Sequence, residues 1–310
     1  MVKIAIAGAS SELSREILDR LVATEKHEIK ALVRKRIENP SDFPHLKGVE
    51  WIQTDFSNKS ELIGLLHGVE TVLCFFAVHL DPGSENQRRL IDACVEAGVK
   101  RYAPSEWGPG VKLTDSIDVM SWYTGKVEVA EYLESLNSKE KVKETNRPSL
   151  YTSKYLTTTT ANLDFENKTA LVVESTLDDE IVYTSAEDVA NTVTLAVDYE
   201  GEWPTIGGIT GDKVTVRQLL DIGEKLRGEP FKIEWLKLED LLAGELKTDK
   251  YPRLPLPSVP EDQVEAFSKM VVSGLLIGYH RGVFAVSDEW NKRLPEYKFT
   301  KAEELLRRVW

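Results

Sequence analysis

Gly8, Ser11 and Ser14 follow the first apolar segment of the sequence with the spacing of a turn that could bind a phosphate. Such a turn has a glycine at the tight bend, a second where the backbone meets a pyrophosphate, and a third where the helix packs on the strand. Gly8 suits the first position. The serines are small, a hydroxyl can donate to a phosphate, and a helix N-terminus attracts anions. The pattern predicts either a dinucleotide site or an ordinary strand–turn–helix connection.

A second candidate group is the basic run Arg34-Lys35-Arg36, which begins about 26 residues after Gly8, at the end of the next apolar segment. An enzyme that prefers NAD typically carries an acidic residue near this point, where it binds the ribose hydroxyls. Basic side chains would instead attract the 2′-phosphate of NADP(H). A basic run is also common in solvated loops. Its position at a strand end favours the cofactor NADP(H) and leaves the loop as the alternative.

Apolar and amphipathic segments alternate through the first half of the chain. The predicted strands are VKIAIA, EIKALVR, VEWIQTD, VETVLCFFA and VKRYAPSEWG, with helices such as SNKSELIGLLHG and ENQRRLIDACVEAG between them. This alternation is typical of parallel β–α–β units covered on both faces. Such a sheet places its ligands along the edge where the strands end. We therefore predict an α/β fold with a Rossmann-type doubly wound parallel sheet, an NAD(P)-binding domain, in residues 1–150.

The alternation loosens in the second half of the chain. We predict a smaller mixed α/β region, residues 151–310, that binds the substrate and is interleaved with the Rossmann sheet around residues 180–200. Within it, the segment FKIEWLK alternates apolar and charged residues. This period of two predicts a strand that buries Phe231, Ile233 and Trp235 on one face and exposes the other.

Composition limits the class of protein. The chain has 310 residues and a net charge of −12, which argues against a nucleic-acid partner because phosphate attracts a basic face. Two cysteines in apolar surroundings, Cys74 and Cys94, suit a reducing compartment. No apolar run approaches the roughly 20 residues that cross a bilayer, and the N-terminus does not resemble a signal peptide. We expect a cytoplasmic protein without a membrane partner, and the sequence shows no cluster of metal ligands.

Several longer segments resemble a known family. They are NQRRLIDACVEAGV followed by KRYAPSEWG, then GKVEVAEYLES, SAEDVANTVTLAV and EWNKRLPEYKFTKAEELL. Through these segments the chain resembles the NmrA-like, isoflavone-reductase-like branch of the atypical short-chain dehydrogenases. The resemblance extends over nearly the whole length of the chain. That family includes NADPH-dependent reductases of phenolic compounds and also nonenzymatic regulators that sense dinucleotides. The resemblance therefore implies the Rossmann-type fold and leaves the reaction open.

The resemblance also implies roles for individual positions of this sequence. The residues that it places around NADP(H) are Gly8, Ser10, Ser11, Leu13, Arg34, Lys35, Phe56, Phe76 and Ala77. Among them, Arg34 and Lys35 would bind the 2′-phosphate, and Phe56 would lie against the adenine. Ser11, together with Ser14, departs from the glycines of the family pattern. That departure raises the question of whether the cofactor is bound tightly.

Lys126 matches the position of the catalytic lysine that is proposed for the family. Ordinary short-chain dehydrogenases use a tyrosine four residues before a lysine, so that both side chains share one helix face. Here that position holds Trp122, which cannot act as an acid, while Tyr123 stands three residues before Lys126. Two interpretations follow. Either Lys126 itself holds the nicotinamide ribose and acts as the general acid or base, or Tyr123 substitutes for the usual tyrosine.

Polar and aromatic side chains near this register are candidates for binding a substrate. An aromatic face can stack on a flat substrate, and a histidine can orient an oxygen atom, although most aromatic residues serve packing alone. The candidates are His79, Trp107, Trp122, Tyr151, Tyr155 and His280.

Three functions are compatible with these features. The first is an NADPH-dependent reductase of a small aromatic or polyketide-like metabolite, with Lys126 as proton donor or oxyanion stabiliser. The second is a nonenzymatic regulator that senses a dinucleotide. The third is a non-redox enzyme for cyclisation or rearrangement, which Ser11 and Ser14 suggest because they could weaken cofactor binding. In each case the expected ligand is a small molecule, and the protein is expected to be a monomer or homodimer.

Overall fold

The central sheet is built from five short strands of the first half of the chain. The computed structural model describes residues 1–138, 150–152, 162–255 and 259–308, with residues 40, 137–138 and 150–152 described through their backbone alone. The strands are β1 (Lys3–Ala7), β2 (Glu28–Val33), β3 (Val49–Gln53), β4 (Thr71–Cys74) and β5 (Arg101–Ala103). All neighbouring pairs are parallel, in the order β3-β2-β1-β4-β5. The order reverses between β1 and β4, and parallel α/β sheets bind their ligands at such a point.

Helices cover both faces of this sheet, which confirms the predicted doubly wound fold. They are α1 (Glu12–Ala23), α2 (Lys59–Leu66), α3 (Glu85–Ala97), α4 (Thr124–Ser138) and α5 (Ala186–Asp198). Ile4 and Ile6 of β1 share an apolar core with α1 and α5, whereas Ala5 and Ala7 face the core formed with α2, α3 and α4. Alternate side chains of one strand thus belong to opposite cores, as the period of two requires.

Helix α5 lies far along the sequence but contributes to the first half of the fold. Its residues Val189 and Val193 are fully buried in the same core as Leu21 of α1. The helix begins at Ser185, whose hydroxyl accepts a hydrogen bond from the Asp188 amide at 2.9 Å. Asp188 in turn accepts hydrogen bonds from the Tyr297 hydroxyl and the Thr300 amide, at 2.7 and 3.0 Å. The last part of the chain is thereby attached to the Rossmann sheet through α5.

The rest of the second half forms small sheets and helices around a third core. Its strands are β6 (Leu150–Thr152), β7 (Leu163–Asp164), β8 (Thr169–Val173), β9 (Glu180–Tyr183), β10 (Gly207–Ile209), β11 (Asp212–Thr215) and β12 (Lys232–Leu236). Its helices are α6 (Val216–Arg227), α7 (Leu238–Leu242), α8 (Val264–His280), α9 (Glu289–Arg293) and α10 (Ala302–Arg307). The strands pair as β10-β6, β11-β9 and β12-β8-β7. Parallel and antiparallel pairs both occur, in agreement with the predicted mixed region.

The predicted strand FKIEWLK is present as β12, and Phe231 and Ile233 pack against the apolar core, but the prediction that Trp235 is buried was wrong. Trp235 is 48 % exposed, while Leu236 is buried. β12 is an edge strand and pairs only with β8 within the described residues. Whether a side chain of β12 is covered depends on which other segments pack over that face of the strand, and alternation along the sequence does not show this.

Candidate cofactor and substrate site

The turn after β1 requires a glycine at its first position. Gly8 has a φ of +81°, a conformation that side chains disfavour. A Cβ atom built on Gly8 would lie 2.9 Å from the carbonyl oxygen of Phe75, which follows β4. The Gly8 amide donates to the Leu32 carbonyl of β2 at 3.0 Å. The turn is therefore held against the two strands that flank β1.

Ser11 and Ser14 have structural partners within the turn. Ser11 caps α1 with a φ of −72°, so no glycine is needed there, and its hydroxyl accepts from the Ser14 amide at 3.2 Å. Ser14 is fully buried, and its hydroxyl lies 3.0 Å from the Gly8 carbonyl and 2.9 Å from the Ser11 carbonyl. The Ser11 hydroxyl donates to Ser14 at 2.8 Å. The two hydroxyls thus close the turn that leads into α1.

The other residues predicted around this turn differ in exposure. Ser10 is exposed directly before α1, whereas Leu13 is partly buried against the core beneath the helix. The first turn of a helix has backbone N–H groups without partners in the helix, and in α1 the Ser11 hydroxyl takes one of them, the Ser14 amide. The start of α1 therefore has an exposed residue, Ser10, close to a partly buried one, Leu13.

Four of the predicted cofactor residues line one crevice at the carboxyl edge of the sheet. They are Arg34 after β2, Phe56 after β3, and Phe76 and Ala77 after β4. The rings of Phe56 and Phe76 meet edge to face, with centroids 4.6 Å apart. Phe56 is almost fully buried and has a φ of +61°, which is unusual for a bulky side chain. The structure therefore brings together residues that follow three different strands.

The basic run after β2 is exposed, and its members differ in position. Arg34 reaches the crevice, whereas the Lys35 amine lies 5.6 Å from the centroid of the Phe43 ring. Arg36 is also exposed. Of these three side chains, Arg34 has the contact with the crevice that the prediction for a 2′-phosphate requires.

The crevice also contains residues that the sequence did not single out. Asp81 and Asn86 line it together with the four predicted residues. One carboxylate oxygen of Asp81 accepts from the Asn86 amide and side chain, both at 2.9 Å, and the other accepts from the Gln87 amide at 3.0 Å. An aspartate before a proline near the start of a helix is a signal for a turn, but it does not indicate a ligand.

A chain of hydrogen bonds leads from Asp81 through Gln87 and Ser105 to Lys126. The Gln87 side chain is buried, and its carbonyl oxygen accepts from the Ser105 amide at 3.0 Å and from the Cys74 thiol at 3.1 Å. The Ser105 hydroxyl donates to the Phe76 carbonyl at 2.7 Å. The carbonyl of Ser105 accepts a short hydrogen bond from the Lys126 amine. We call these four residues the Asp81–Lys126 chain.

Lys126 is a buried lysine in the first turn of α4. Only 6 % of its surface is exposed. Burial lowers the pKa of its ammonium group, and the nearby Glu106 carboxylate opposes this shift. The Tyr123 ring lies beneath the amine, with 5.6 Å between Nζ and the ring centroid. A buried amine whose pKa is lowered gives up its proton more readily than an exposed lysine does.

Tyr123 has surroundings that do not favour its role as an acid. Burial raises the pKa of its hydroxyl, and the charge of Glu106 raises it further. The lysine of a tyrosine–lysine pair is expected to lower the pKa of the tyrosine, and here it contacts the face of the ring. The geometry favours Lys126 over Tyr123 as the group that would exchange a proton with a substrate.

Glu106 is a second buried titratable residue beside Lys126. It is 3 % exposed, and burial raises the pKa of its carboxyl group to about 7, although the charge of Lys126 acts in the opposite direction. Its Oε1 atom is buried and has no hydrogen-bond partner among the described residues. The sequence placed Glu106 at a strand end but gave no signal for its state of protonation.

The aromatic candidates for substrate binding have packing partners. Trp107 stacks on Phe75 with ring centroids 4.5 Å apart, and its indole donates to the Cys74 carbonyl at 2.6 Å. Trp122 lies against α8, where a Cβ atom on Gly274 would come within 2.5 Å of its ring. Both side chains are partly buried, and their contact with a substrate stays a prediction.

The remaining candidates lie at the surface or outside the described part. His79 is exposed in the turn after β4. His280 is exposed at the end of α8, where its Nδ1 atom lies 2.9 Å from the Asp179 carboxylate. That pair gives His280 a partner away from the Asp81–Lys126 chain. Tyr151 is described through its backbone in β6, and Tyr155 lies outside the described residues.

The sequence model of the NmrA-like family matches residues 2–304 of the chain. The chain belongs to the NmrA-like family. It is similar to an oxidoreductase from Botryotinia fuckeliana, 31 % identical over 111 residues that cover 35 % of this chain and 36 % of that protein. It is also similar to an isoflavone reductase from Glycine max, 36 % identical over 90 residues that cover 28 % of this chain and 27 % of that protein. The matches thus span less than half of these relatives.

Solved structures extend the likeness of the fold to the whole chain. An NADPH-dependent quinone oxidoreductase from Escherichia coli, complexed with NADPH, superposes with a TM-score of 0.69 at 20 % identity and covers 99 % of both chains. At this identity the likeness concerns the fold. Among the described residues, no group of three His, Cys, Asp or Glu side chains could hold a metal ion. Within the same ranges, no helix has both the length and the apolar character needed to cross a membrane.

Proposed function

We propose that this protein is an NADPH-dependent reductase of a small aromatic or polyketide-like metabolite. The observation that carries the proposal is the position of Lys126. Its buried amine is held by the Ser105 carbonyl, and the Asp81–Lys126 chain connects it to the crevice at the carboxyl edge of the sheet. A regulator that only senses a dinucleotide has no need of a buried amine with a lowered pKa at this point.

The residues present fit NADPH by their chemistry. Gly8 leaves room for the backbone turn, and the N-terminus of α1 attracts phosphate. Arg34 lines the crevice and can bind a 2′-phosphate with two parallel hydrogen bonds. Phe56 and Phe76 offer an apolar surface to a base. Ser11 and Ser14 do not oppose this fit, because their positions have partners that close the turn.

When bound, NADPH supplies the hydride. Lys126 then has the second task of a reduction, which is to deliver a proton to the oxygen atom of the substrate or to stabilise the negative charge that develops there. Its ammonium group is kept in position by the Ser105 carbonyl, so it does not have to be ordered during the reaction. The Tyr123 ring covers one side of the amine.

The relatives support the reaction class and the kind of substrate. The curated proteins bear the names oxidoreductase and isoflavone reductase, and the structural neighbour is a quinone oxidoreductase with NADPH. Isoflavones and quinones are flat compounds with oxygen atoms conjugated to a ring. We propose that residues 1–150 bind the cofactor, that residues 151–310 provide most of the substrate pocket, and that α5 joins the two.

Binding of NADPH to the purified protein tests the proposal. We expect saturable binding by calorimetry, and we expect Arg34→Ser to weaken it by about 10-fold to 100-fold, because a charge-assisted pair to phosphate is lost. The matched control is Arg36→Ser, which removes the same charge outside the crevice. Binding of NADH should change little in either variant.

Turnover tests the role of Lys126 separately. With NADPH and a panel of quinones and aromatic enones, Lys126→Met should reduce the rate of NADPH oxidation by about 100-fold or more. Failure of the wild-type protein to bind NADPH at saturating concentrations would contradict the cofactor. Binding without oxidation of NADPH on any such compound would favour the regulator instead.

A further inference from the structure

Phe56 has an unusual backbone conformation for a residue that lines the crevice. Its φ of +61° lies in the left-handed region, which a bulky side chain rarely adopts. Its amide donates to the Thr54 hydroxyl at 3.2 Å, and its carbonyl accepts from the Arg89 guanidinium at 3.0 Å. A strained conformation persists only where neighbouring groups hold it in place. Here one of the two holding groups comes from a separate element, helix α3.

Arg89 also contacts the residues that line the crevice after β4. Its Nη1 atom donates to the side-chain oxygen of Asn86 at 3.0 Å. Asn86 and Arg89 are three residues apart on α3, so their side chains share one face of the helix. Asn86 in turn donates to Asp81 at 2.9 Å through both its backbone amide and its side chain. Hydrogen bonds therefore run without interruption from the segment after β3 to the segment after β4.

Arg89 contacts two residues of the crevice without lining the crevice itself. Its side chain is partly buried, and the two acceptors that it binds are uncharged oxygen atoms, the Phe56 carbonyl and the Asn86 side chain. A hydrogen bond from a charged donor is stronger than one between neutral groups. The guanidinium is therefore well suited to keep these two walls of the crevice in a fixed arrangement.

We propose that Arg89 is a positioning residue for the crevice: it holds the Phe56 ring against Phe76 and thereby shapes the subsite for the purine base of NADPH. This inference rests on the proposed function. Arg89 acts through Phe56 and Asn86 and does not have to touch the cofactor. The effect should be confined to the base end of NADPH, because Asp81 binds the Gln87 amide through its other carboxylate oxygen, independently of Arg89.

The first test is the contact between the two rings in the protein without cofactor. In NMR spectra of protein labelled at phenylalanine, we expect nuclear Overhauser effects between Phe56 and Phe76, whose ring centroids are 4.6 Å apart. They should be lost in Arg89→Met, which is a long side chain without a donor. The matched control is Arg88→Met, because the Arg88 guanidinium lies 5.4 Å from the Tyr132 ring centroid instead. Retention of the ring contact in Arg89→Met overturns the inference.

The second test is the binding of adenosine 2′,5′-bisphosphate, which carries the base end of NADPH without the nicotinamide. Arg89→Met should weaken the binding of this compound and of NADPH by the same factor, about 10-fold. The kcat for a quinone at saturating NADPH should fall far less than the affinity, because Lys126 is held separately. Arg89→Lys keeps the charge and should recover part of the affinity, and Arg88→Met should bind like the wild type. A loss of kcat without a loss of affinity in Arg89→Met would indicate a role in folding alone.

The two proposals fail in different ways. A wild-type protein that binds neither NADPH nor adenosine 2′,5′-bisphosphate would contradict the reductase, and the ring contact would still decide whether Arg89 positions Phe56. Normal affinity for both compounds in Arg89→Met would contradict the role of Arg89 and leave the reductase intact. If Arg89→Met does not fold, Arg89→Gln gives the same test, because its shorter side chain cannot bind both acceptors from one group.

Discussion

Ser14 stands where a dinucleotide turn usually has its third glycine, and its hydroxyl contacts the carbonyls at both ends of the turn. A glycine at this position would allow helix and strand to approach more closely. The serine instead connects them through hydrogen bonds. The side chain of Ser11 takes part in the same arrangement. The two serines therefore stabilise the start of α1, and their presence is compatible with a phosphate at the helix end.

Gly8 is the residue of this turn that tolerates no side chain. We expect Gly8→Ala to lower the free energy of unfolding by about 1–3 kcal/mol and to weaken NADPH binding, because the new Cβ atom is strained at a φ of +81° and meets the Phe75 carbonyl. Urea denaturation and calorimetric titration measure the two effects.

Gly68→Ala is the matched control for that substitution. Gly68 has a similar φ of +76°, but a Cβ atom there would have no neighbour within 4 Å. It should cost about 1 kcal/mol for the backbone conformation alone and should leave NADPH binding unchanged. Equal effects of the two substitutions on NADPH binding would show that the contact with Phe75 is unimportant.

The sequence predicts some residues of the site better than others. Gly8 and Arg34 each follow a strand of strong apolar pattern, so their place at the edge of the sheet could be predicted. Gln87 lies in the first turn of α3, and its contacts with Ser105 and Cys74 join segments that are separate in sequence. Such contacts depend on the packing of α3 against the sheet, which no local pattern specifies.

The packing of α1 against α5 joins the two halves of the chain. Leu21 of α1 is fully buried in the core that α5 shares. We expect Leu21→Ala to lower the free energy of unfolding by about 2–5 kcal/mol and to shift the unfolding of both halves together, because the same cavity destabilises both. Both halves contain helices and tryptophans, so circular dichroism and tryptophan fluorescence should show one common transition during urea denaturation.

Leu195→Ala is the corresponding control on the outer side of α5. Leu195 is 39 % exposed, so the same truncation there should change the free energy of unfolding by no more than about 0.5 kcal/mol. Two separate transitions in Leu21→Ala, with only the first half affected, would contradict the packing of α5 on the Rossmann sheet.

The elements of the first half could be predicted more completely than those of the second. In a parallel sheet that is covered on both faces, each strand is an apolar run of residues, and helices alternate with the strands along the sequence. The small sheets of the second half have edge strands such as β12, where the exposed Trp235 contradicts the pattern. There, burial depends on what other segments cover the strand, and the sequence does not show this.

A buried histidine makes the free energy of unfolding of the protein depend on pH. His27 lies before β2 with 1 % of its side chain exposed, and its Nε2 atom is 3.4 Å from the carboxylate of Asp198 at the end of α5. Burial lowers the pKa of His27 below 6.5, although the charge of Asp198 acts in the opposite direction. The folded protein thus binds a proton at His27 less readily than the unfolded chain does.

The stability of the protein should consequently fall as the pH is lowered below 6.5. The unfolded chain gains a proton on His27 in that range, and the free energy of unfolding decreases until the folded pKa is passed. We expect His27→Gln to make the decrease between about pH 7 and about pH 5.5 less steep, as measured by urea denaturation at each pH. His45→Gln, which alters an exposed histidine, should retain the wild-type slope.

The Asp81–Lys126 chain has a consequence for the redesign of this protein. Its hydrogen bonds run from the turn after β4 to the start of α4, and Arg34 and Lys35 after β2 are not members of it. The residues that would choose between two cofactors therefore follow a different strand from those that would move the proton, although Arg34 and Asp81 line the same crevice. Substitutions after β2 should therefore change the preference between the two cofactors and leave the chemistry at Lys126 in place.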